Sequence, residues 1–145
     1  MRLVADANVL VAELVRSRGR DLLDNPALVL YVAELPWEET GHELGKRVAA
    51  MVEQGRVSEA AGRELLEGAR GIAEARVSRV PALAYEHLRQ EALARIPRDP
   101  EDWHTVALAL ALGADIWTTD GDFLGCGVAT WTTETLATHL ERHHQ

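Results

Sequence analysis

Short apolar runs alternate along the chain with longer segments whose hydrophobic residues recur every three or four positions. Five runs have the length and composition of buried strands, at residues 2–5, 28–33, 77–80, 115–118 and 128–131. Helical spacing predicts helices over 9–15, from Pro36 to Gly55, after Ser58, through Leu83, Leu88 and Leu93 to a point before Pro97, over 106–112 and from Thr132. Strands that alternate with helices indicate an α/β fold with a mainly parallel sheet.

Several residues predict where helices begin and end. Asn8 and Ser58 are suitable N-caps, because their side chains can accept hydrogen bonds from free backbone amides. Gly113 is suited to close the helix over 106–112. Gly19 either interrupts the first helix or restarts a second one.

Length and composition set the class of protein. The 145 residues, 47% of them hydrophobic, predict one domain over residues 1–145 with a substantial core. Cys126 is the single cysteine and cannot form an internal disulfide, which fits a reducing compartment. The longest apolar run, 106–112, is too short to span a membrane. We therefore expect a soluble cytoplasmic protein with no membrane partner.

The net charge of −8 argues against nucleic-acid binding through a broad cationic face. This argument weakens if several of the acids bind metal ions, because the remaining charges then nearly balance. Fourteen of the fifteen basic residues are arginines, whose guanidinium groups suit bidentate contacts with phosphate.

Acidic residues stand at the predicted ends of strands and at the start of one helix. Asp6 follows the first strand, Asp99 and Asp102 precede an apolar helix, and Asp120 and Asp122 follow the strand at 115–118. The carboxyl ends of parallel strands face one crevice, so these side chains should converge there. Crowded carboxylates are costly unless they take up protons or bind a cation.

Each acid also has a structural explanation. Asp6 could be a turn or cap residue, but Asn8 already serves as the expected cap, which favours a functional Asp6. Asp99 before Pro100 is a good N-cap, and Asp102 at the third helical position should point into the crevice. We therefore expect Asp102 to be a ligand and Asp99 a cap.

The turn after the fourth predicted strand has a similar ambiguity. Turns rich in Asp and Gly are common on surfaces, yet Gly121 would let both Asp120 and Asp122 reach the crevice. Thr118 could donate its hydroxyl to a neighbouring carboxylate or to a substrate phosphate, although threonine also simply favours strands. Asn8 could orient Asp6 or a bound water.

The helix after Pro36 carries a further pair of acids. Glu39 and Glu43 are four residues apart, so they share a helical face and repel each other unless a cation bridges them. The structural alternative is a solvated surface on which Glu43 pairs with Arg47.

These features, taken in order, resemble the PIN-domain ribonucleases, and the resemblance spans almost the whole chain. It implies a three-layer α/β/α sandwich. Asp6, Asp102 and Asp120 match acidic positions of the family, and Asp122 matches an accessory one. The helical glutamate of the family falls on Glu38 or Glu39, of which we favour Glu39. The segment 55–79 matches only loosely.

The resemblance implies a metal-dependent endoribonuclease. Carboxylates suit Mg²⁺ or Mn²⁺, and four acids would hold the metal with help from Asp122. The four acids are Asp6, Glu39, Asp102 and Asp120. Asn8 and Thr118 would orient the neighbouring carboxylate, a bound water or the substrate phosphate. Asp99 and Glu43 would support the site. Water would attack an RNA phosphodiester in line and leave 5′-phosphate and 3′-hydroxyl ends. The resemblance also allows a toxin role with an antitoxin partner, and self-association.

Two other classes of function remain open at this point. A non-catalytic PIN-like module would keep the acidic crevice and bind nucleic acid or protein without turnover. An aspartate-based phosphatase or phosphoacceptor domain also gathers aspartates at sheet ends, but it needs a well-placed lysine. Lys46, the single lysine, is predicted to lie on the wrong helix for that role.

Overall fold

The computed structural model describes residues 1–119 and 121–143, apart from the side chain of Asp122. Within these residues, five strands form one sheet in the order β3-β2-β1-β4-β5, and every neighbouring pair is parallel. The strands are β1 Arg2–Ala5, β2 Val29–Ala33, β3 Val77–Val80, β4 Asp115–Trp117 and β5 Thr130–Trp131. All five runs predicted from the sequence therefore contain strands.

The helices lie between the strands. They are α1 Ala7–Leu14, α2 Ser17–Leu23, α3 Glu34–Glu53, α4 Glu59–Arg76, α5 Arg89–Arg95, α6 Trp103–Leu112 and α7 Thr133–Arg142. Short 3₁₀ turns cover Ala82–Ala84, Glu86–Leu88, Pro100–Asp102 and Gly121–Phe123. No helix in the described part of the chain is long and apolar enough to cross a membrane.

The sheet is buried on both faces, because alternate side chains of each strand point to opposite sides. Leu3 and Ala5 of β1 pack with helices α1, α2, α3, α4 and α7. Val4, between them, packs in a second cluster with α5 and α6. Each Å² of apolar surface buried on either face contributes about 25 cal/mol to the stability of the fold. The predicted three-layer α/β/α fold is confirmed.

Several predicted helix ends are confirmed. The hydroxyl of Ser58 accepts a hydrogen bond from the backbone amide of Ala61 at 3.1 Å. Gly113 closes α6 in the left-handed conformation, with a φ of 62°. Thr132 precedes α7 and forms a reciprocal capping box with Thr135.

The predicted start of the first helix was wrong. The helix begins at Ala7, and its N-cap is Asp6, whose carboxylate accepts from the amide of Val9 at 2.8 Å. Because β1 ends at Ala5, Asp6 still has the extended backbone that a cap requires, and Asn8 lies inside the first turn. Gly19 is buried within α2, which begins afresh after α1. A side chain at Gly19 would overlap the backbone of Glu13.

The predicted helix through Leu83, Leu88 and Leu93 was right only in its second half, where it ends before Pro97 as expected. Two 3₁₀ turns replace its first half, and only α5 is α-helical. The leucines are five residues apart, which places successive side chains about 140° apart on a helix rather than on one face. Tyr85 is fully buried here, and Leu83 is exposed.

The loop after β4 is tied to α5 by Arg95. Its guanidinium donates to the carbonyl oxygen of Cys126 at 3.0 Å and pairs with Glu91 at 2.9 Å. Gly127, with a φ of 83°, leaves room for this guanidinium, since an added Cβ would overlap it. The contact with Arg95 restrains the chain around Cys126, in the connection between β4 and β5.

Replacement of glycine by alanine should have opposite effects at two positions. Gly113→Ala should lower the free energy of unfolding by about 1 kcal/mol, because alanine is strained at a positive φ. Gly68→Ala, in the interior of α4 with open space around it, should raise this free energy by about 0.5–1 kcal/mol. Urea denaturation of the two variants measures both values. Equal shifts in one direction would contradict the assigned backbone conformations.

Candidate active site at the carboxyl edge of the sheet

A pocket of about 80 Å³ opens at the edge of the sheet where β1 and β2 end. Three chain segments line it: the start of α1, the start of α3, and the turn before α6. The carboxylates in its wall are those of Asp6, Glu39, Asp99, Glu101 and Asp102. In the sheet, β2 lies on one side of β1 and β4 on the other, so the connections that follow β1 and β4 run in opposite directions. Ligands bind at such switch points in parallel sheets.

Asp6 is held from two sides. One carboxylate oxygen accepts the capping hydrogen bond from Val9, and the other accepts from the hydroxyl of Thr118. Both Asp6 and Thr118 are buried, at 6% and 4% exposure. The sequence favoured Asn8 as the cap and a functional Asp6, but the Asp6 carboxylate itself caps α1 and also lines the pocket.

Glu39 lies in the second turn of α3 and lines the pocket, whereas Glu38 is not part of the pocket wall, although both residues are exposed. Desolvation of the Glu39 carboxyl raises its pKa, and the negative charges of Glu101 and Glu43 raise it further. Glu43 pairs with Lys46 at 3.5 Å, and not with Arg47 as the sequence suggested. The pocket therefore places Glu39 among like charges.

The segment before α6 differs from its predicted form. The 3₁₀ turn Pro100–Asp102 is closed by the amide of Asp102, which donates to the backbone carbonyl of Asp99 at 3.1 Å. Within the described residues, the Asp99 side chain makes no capping hydrogen bond, so its predicted cap role was wrong. Asp102 stands at the N-cap position of α6 and not at its third residue. Asp99 and Glu101 line the pocket together with Asp102.

His104 also lines the pocket, although no pattern in the sequence predicted this position. Its Nδ1 atom lies 2.7 Å from the hydroxyl of Tyr85, and its ring stacks on that of Trp103 with centroids 3.9 Å apart. Burial lowers the pKa of His104, and the charge of Arg89 lowers it further. Burial, with a contribution from Glu34, raises the pKa of Tyr85 to about 12. His104 therefore adds ring nitrogens to the pocket wall, and its lowered pKa favours the uncharged ring.

Two predicted residues cannot be placed. Asp120 and the side chain of Asp122 lie outside the described residues, so their roles stay predictions. The preceding strand β4 lies beside β1, where Ala5 pairs with Trp117 and the amide of Asp6 donates to the Trp117 carbonyl at 3.2 Å. The segment after β4 therefore leaves the sheet at the same edge as Asp6.

The chemistry of the pocket suits a hard divalent cation. Its donors are carboxylate oxygens and the amide of Asn8, which are ligands of Mg²⁺ and Mn²⁺, and no lysine or arginine is among the described residues in its wall. In the described part of the chain, no three His, Cys, Asp or Glu side chains are close enough to enclose an ion. Mg²⁺ commonly keeps several waters and uses only one or two carboxylates, which fits this arrangement.

Comparison with known proteins assigns the family. The sequence profile of the PIN domain matches residues 4–141, which is almost the whole chain. The chain belongs to the PIN-domain family. The resemblance inferred from the acidic motifs is thereby confirmed.

Solved structures show the same fold as this PIN domain. PAE2754 from Pyrobaculum aerophilum superimposes with a TM-score of 0.67 at 19% sequence identity, covering 99% of this chain and 91% of that one. FitAcB from Neisseria gonorrhoeae superimposes with a TM-score of 0.50 at 19% identity, covering 89% of this chain and 96% of that one. Comparison with individually curated proteins gave no match. At these identities the structures support the fold of the PIN domain and not a specific activity.

Removal of the Glu39 charge should stabilise the metal-free PIN domain. Its raised pKa means that the folded state binds the proton more readily than the unfolded state, so stability falls as pH rises through that pKa. At about pH 8, Glu39→Gln should raise the free energy of unfolding by about 0.5 kcal/mol, a small value because the residue is exposed and the repulsion is screened. Urea denaturation with chelator measures the effect.

Measurements at low pH and the variant Glu38→Gln are the controls for Glu39→Gln. Below about pH 4 the carboxyl is mostly protonated in both states, so Glu39→Gln should have little effect there. Glu38→Gln removes the same charge one residue away and should change stability little at either pH. If Glu39→Gln destabilises the metal-free protein at pH 8, the crowding of negative charge inferred here is wrong.

Proposed function

We propose that this PIN domain is a divalent-metal-dependent endoribonuclease that hydrolyses RNA phosphodiester bonds. The observation that supports the proposal is the meeting of Asp6, Glu39 and Asp102, from three separate segments, in one small pocket. Such a collection of acids is costly to the folded protein, and a bound cation offsets the cost. Membership of the PIN family favours nuclease chemistry over other uses of the same cation.

Asp6, Glu39, Asp102 and Asp120 would hold Mg²⁺ or Mn²⁺ directly or through bound water, and Asp122 would assist. Bound there, the ion supplies an acidified water and neutralises charge on the phosphate and on the leaving oxygen. The protein contributes orientation. Val9 and Thr118 fix both oxygens of Asp6 through hydrogen bonds, so the carboxylate need not reorganise when substrate arrives.

Other residues in the pocket wall shape the reaction. Asn8 presents a neutral amide that can orient Asp6 or a water, and His104 is held by Tyr85 as an uncharged hydrogen-bonding group. Water attacks phosphorus in line with the bond to the 3′ oxygen. This bond breaks, and the products carry a 5′-phosphate and a 3′-hydroxyl.

The position of Lys46 disfavours the phosphoaspartyl alternative. The ion pair with Glu43 holds Lys46 on an exposed face of α3, and this lysine is not part of the pocket wall. A phosphoaspartyl enzyme or receiver domain needs a lysine beside its aspartates, and the sequence has no second one. The pocket therefore fits a metal-dependent hydrolase better.

We also propose that the cytoplasmic role of this nuclease is that of a toxin neutralised by an antitoxin protein. Membership of the PIN-domain family supports this role. Induced expression of the chain alone in bacteria should then slow growth, and Asp6→Asn should remove the effect at equal protein level. Normal growth with abundant folded wild-type protein would contradict the toxin role and would not affect the proposed chemistry.

Cleavage of single-stranded RNA tests the proposed chemistry directly. The wild-type protein should cleave RNA with Mg²⁺ or Mn²⁺ and should be inactive with chelator. Asp6→Asn and Asp102→Asn should each lower kcat by about 100-fold or more, because each removes a charge that holds the ion. Asparagine can still cap α1, so Asp6→Asn should remain folded.

A neighbouring pair of glutamates supplies the matched control. Glu39→Gln should lower kcat at least about tenfold, whereas Glu38→Gln should leave it within about twofold of wild type. Gel assays with end-labelled RNA measure the rates, and the end chemistry of the products identifies the broken bond. Cleavage in chelator, or full activity of Asp6→Asn, would refute the mechanism.

A further inference from the structure

The side chains of Arg89, Trp103 and His104 stack in that order, from the exposed Arg89 to His104 in the wall of the acidic pocket. The guanidinium carbon of Arg89 lies 5.1 Å from the ring centroid of Trp103. The Trp103 ring stacks on His104, which lines the pocket, and the residue before Trp103 is Asp102, which also lines it. Arg89 is thus one aromatic layer away from the pocket wall.

Arg89 keeps its charge available to a ligand. The ion pairs within 4.0 Å among the described residues use Arg16, Lys46, Arg76 and Arg95, and not Arg89. Arg89 is exposed to solvent. A guanidinium group stacked on an aromatic face is restrained in position, yet its N–H groups can still donate at the edge. Such a group is prepared for a bidentate contact with phosphate.

The surroundings of the pocket create a need for such a contact. Five carboxylates in the pocket wall and a net charge of −8 repel the phosphates of an approaching strand. A cation held by the pocket acids would offset this repulsion for the phosphate that reacts, but not for the neighbouring phosphates. A fixed positive charge just outside the pocket attracts a neighbouring phosphate and sets the position of the strand.

We propose that Arg89, stacked on Trp103, binds a backbone phosphate of the RNA strand next to the phosphate that is hydrolysed. This inference rests on the proposed function. Arg89 then contributes to substrate binding and register, whereas the chemical step depends on the acids. A purely structural Arg89 would instead affect only the stability of the packing between α5 and α6.

Steady-state kinetics separate these two roles. Arg89→Met, which keeps the aliphatic stem but removes the charge, should raise KM for RNA about tenfold and leave kcat within about twofold. Arg89→Lys keeps the charge but loses the planar guanidinium group, so its KM should lie between the values for the wild type and for Arg89→Met. A structural role predicts a lower melting temperature with unchanged KM, and that result would overturn the proposal.

Arg63→Met is the matched control. Arg63 is an exposed arginine near the start of α4 and shares a surface groove with Val52, near the end of α3. Because α3 has 20 residues and starts at the pocket, this position is roughly 25–30 Å away. The control removes the same charge from the whole protein but should leave KM within about twofold of wild type. Equal effects of the two variants would refute a local contact by Arg89.

Binding without turnover makes the test independent of catalysis. In the Asp6→Asn background without metal, fluorescence anisotropy with a labelled single-stranded oligouridine gives Kd between about 50 and 200 mM salt. Adding Arg89→Met should weaken binding about tenfold and reduce the slope of log Kd against log salt by about 0.7, the value for one contact with a single strand. Adding Arg63→Met should change neither quantity.

The outcomes distinguish the two proposals. If the wild-type protein cleaves no RNA but binding depends on Arg89, the nuclease proposal fails and the phosphate contact stands. If RNA is cleaved and Arg89→Met alters neither KM nor Kd, the nuclease proposal stands and the phosphate contact is refuted.

Discussion

The carboxylate of Asp6 joins three elements of the molecule at one point. It ends the central strand β1, caps α1 through the amide of Val9, and accepts a hydrogen bond from Thr118 at the end of β4. Loss of a cap alone costs about 1 kcal/mol, and an unsatisfied buried hydroxyl adds to this cost. Because the chain leaves β1 and β4 toward opposite sides, this junction fixes the place where the crevice opens. The same contact therefore organises the fold and orients the candidate ligand.

The pocket combines this rigid support with unfavourable electrostatics. Desolvation raises the pKa of Glu39, and its acidic neighbours raise it further, so the folded metal-free protein carries an electrostatic cost that the unfolded chain lacks. Strain of this kind is typical of sites that have a ligand to relieve it. His104 in the same wall differs, since burial lowers its pKa and so favours the uncharged ring, which lies 2.7 Å from the hydroxyl of Tyr85 behind it. The pocket thus concentrates its charge on the carboxylates.

The sequence predicted the sheet and the gathering of acids, because both follow from local patterns. Strand runs and helix spacing are local, and parallel strands bring their carboxyl ends to one edge. The predicted cap of α1 was wrong because its position depends on the residue at which β1 ends. β1 ends at Ala5, so the cap is Asp6 and not Asn8. The contacts of His104 with Tyr85 and of Trp103 with Arg89 join residues 14 to 19 positions apart. No spacing rule relates such residues, so only the fold reveals them.

The two edges of the sheet limit how this protein can assemble. The strand at one edge, β5, has two residues, and β3 at the other exposes Ser78 and Arg79 and is followed by Pro81. Short strands, charged side chains and proline all oppose the addition of another strand. A second polypeptide would therefore dock against helices, and recognition would rest on side-chain shape and charge instead of backbone ladder hydrogen bonds.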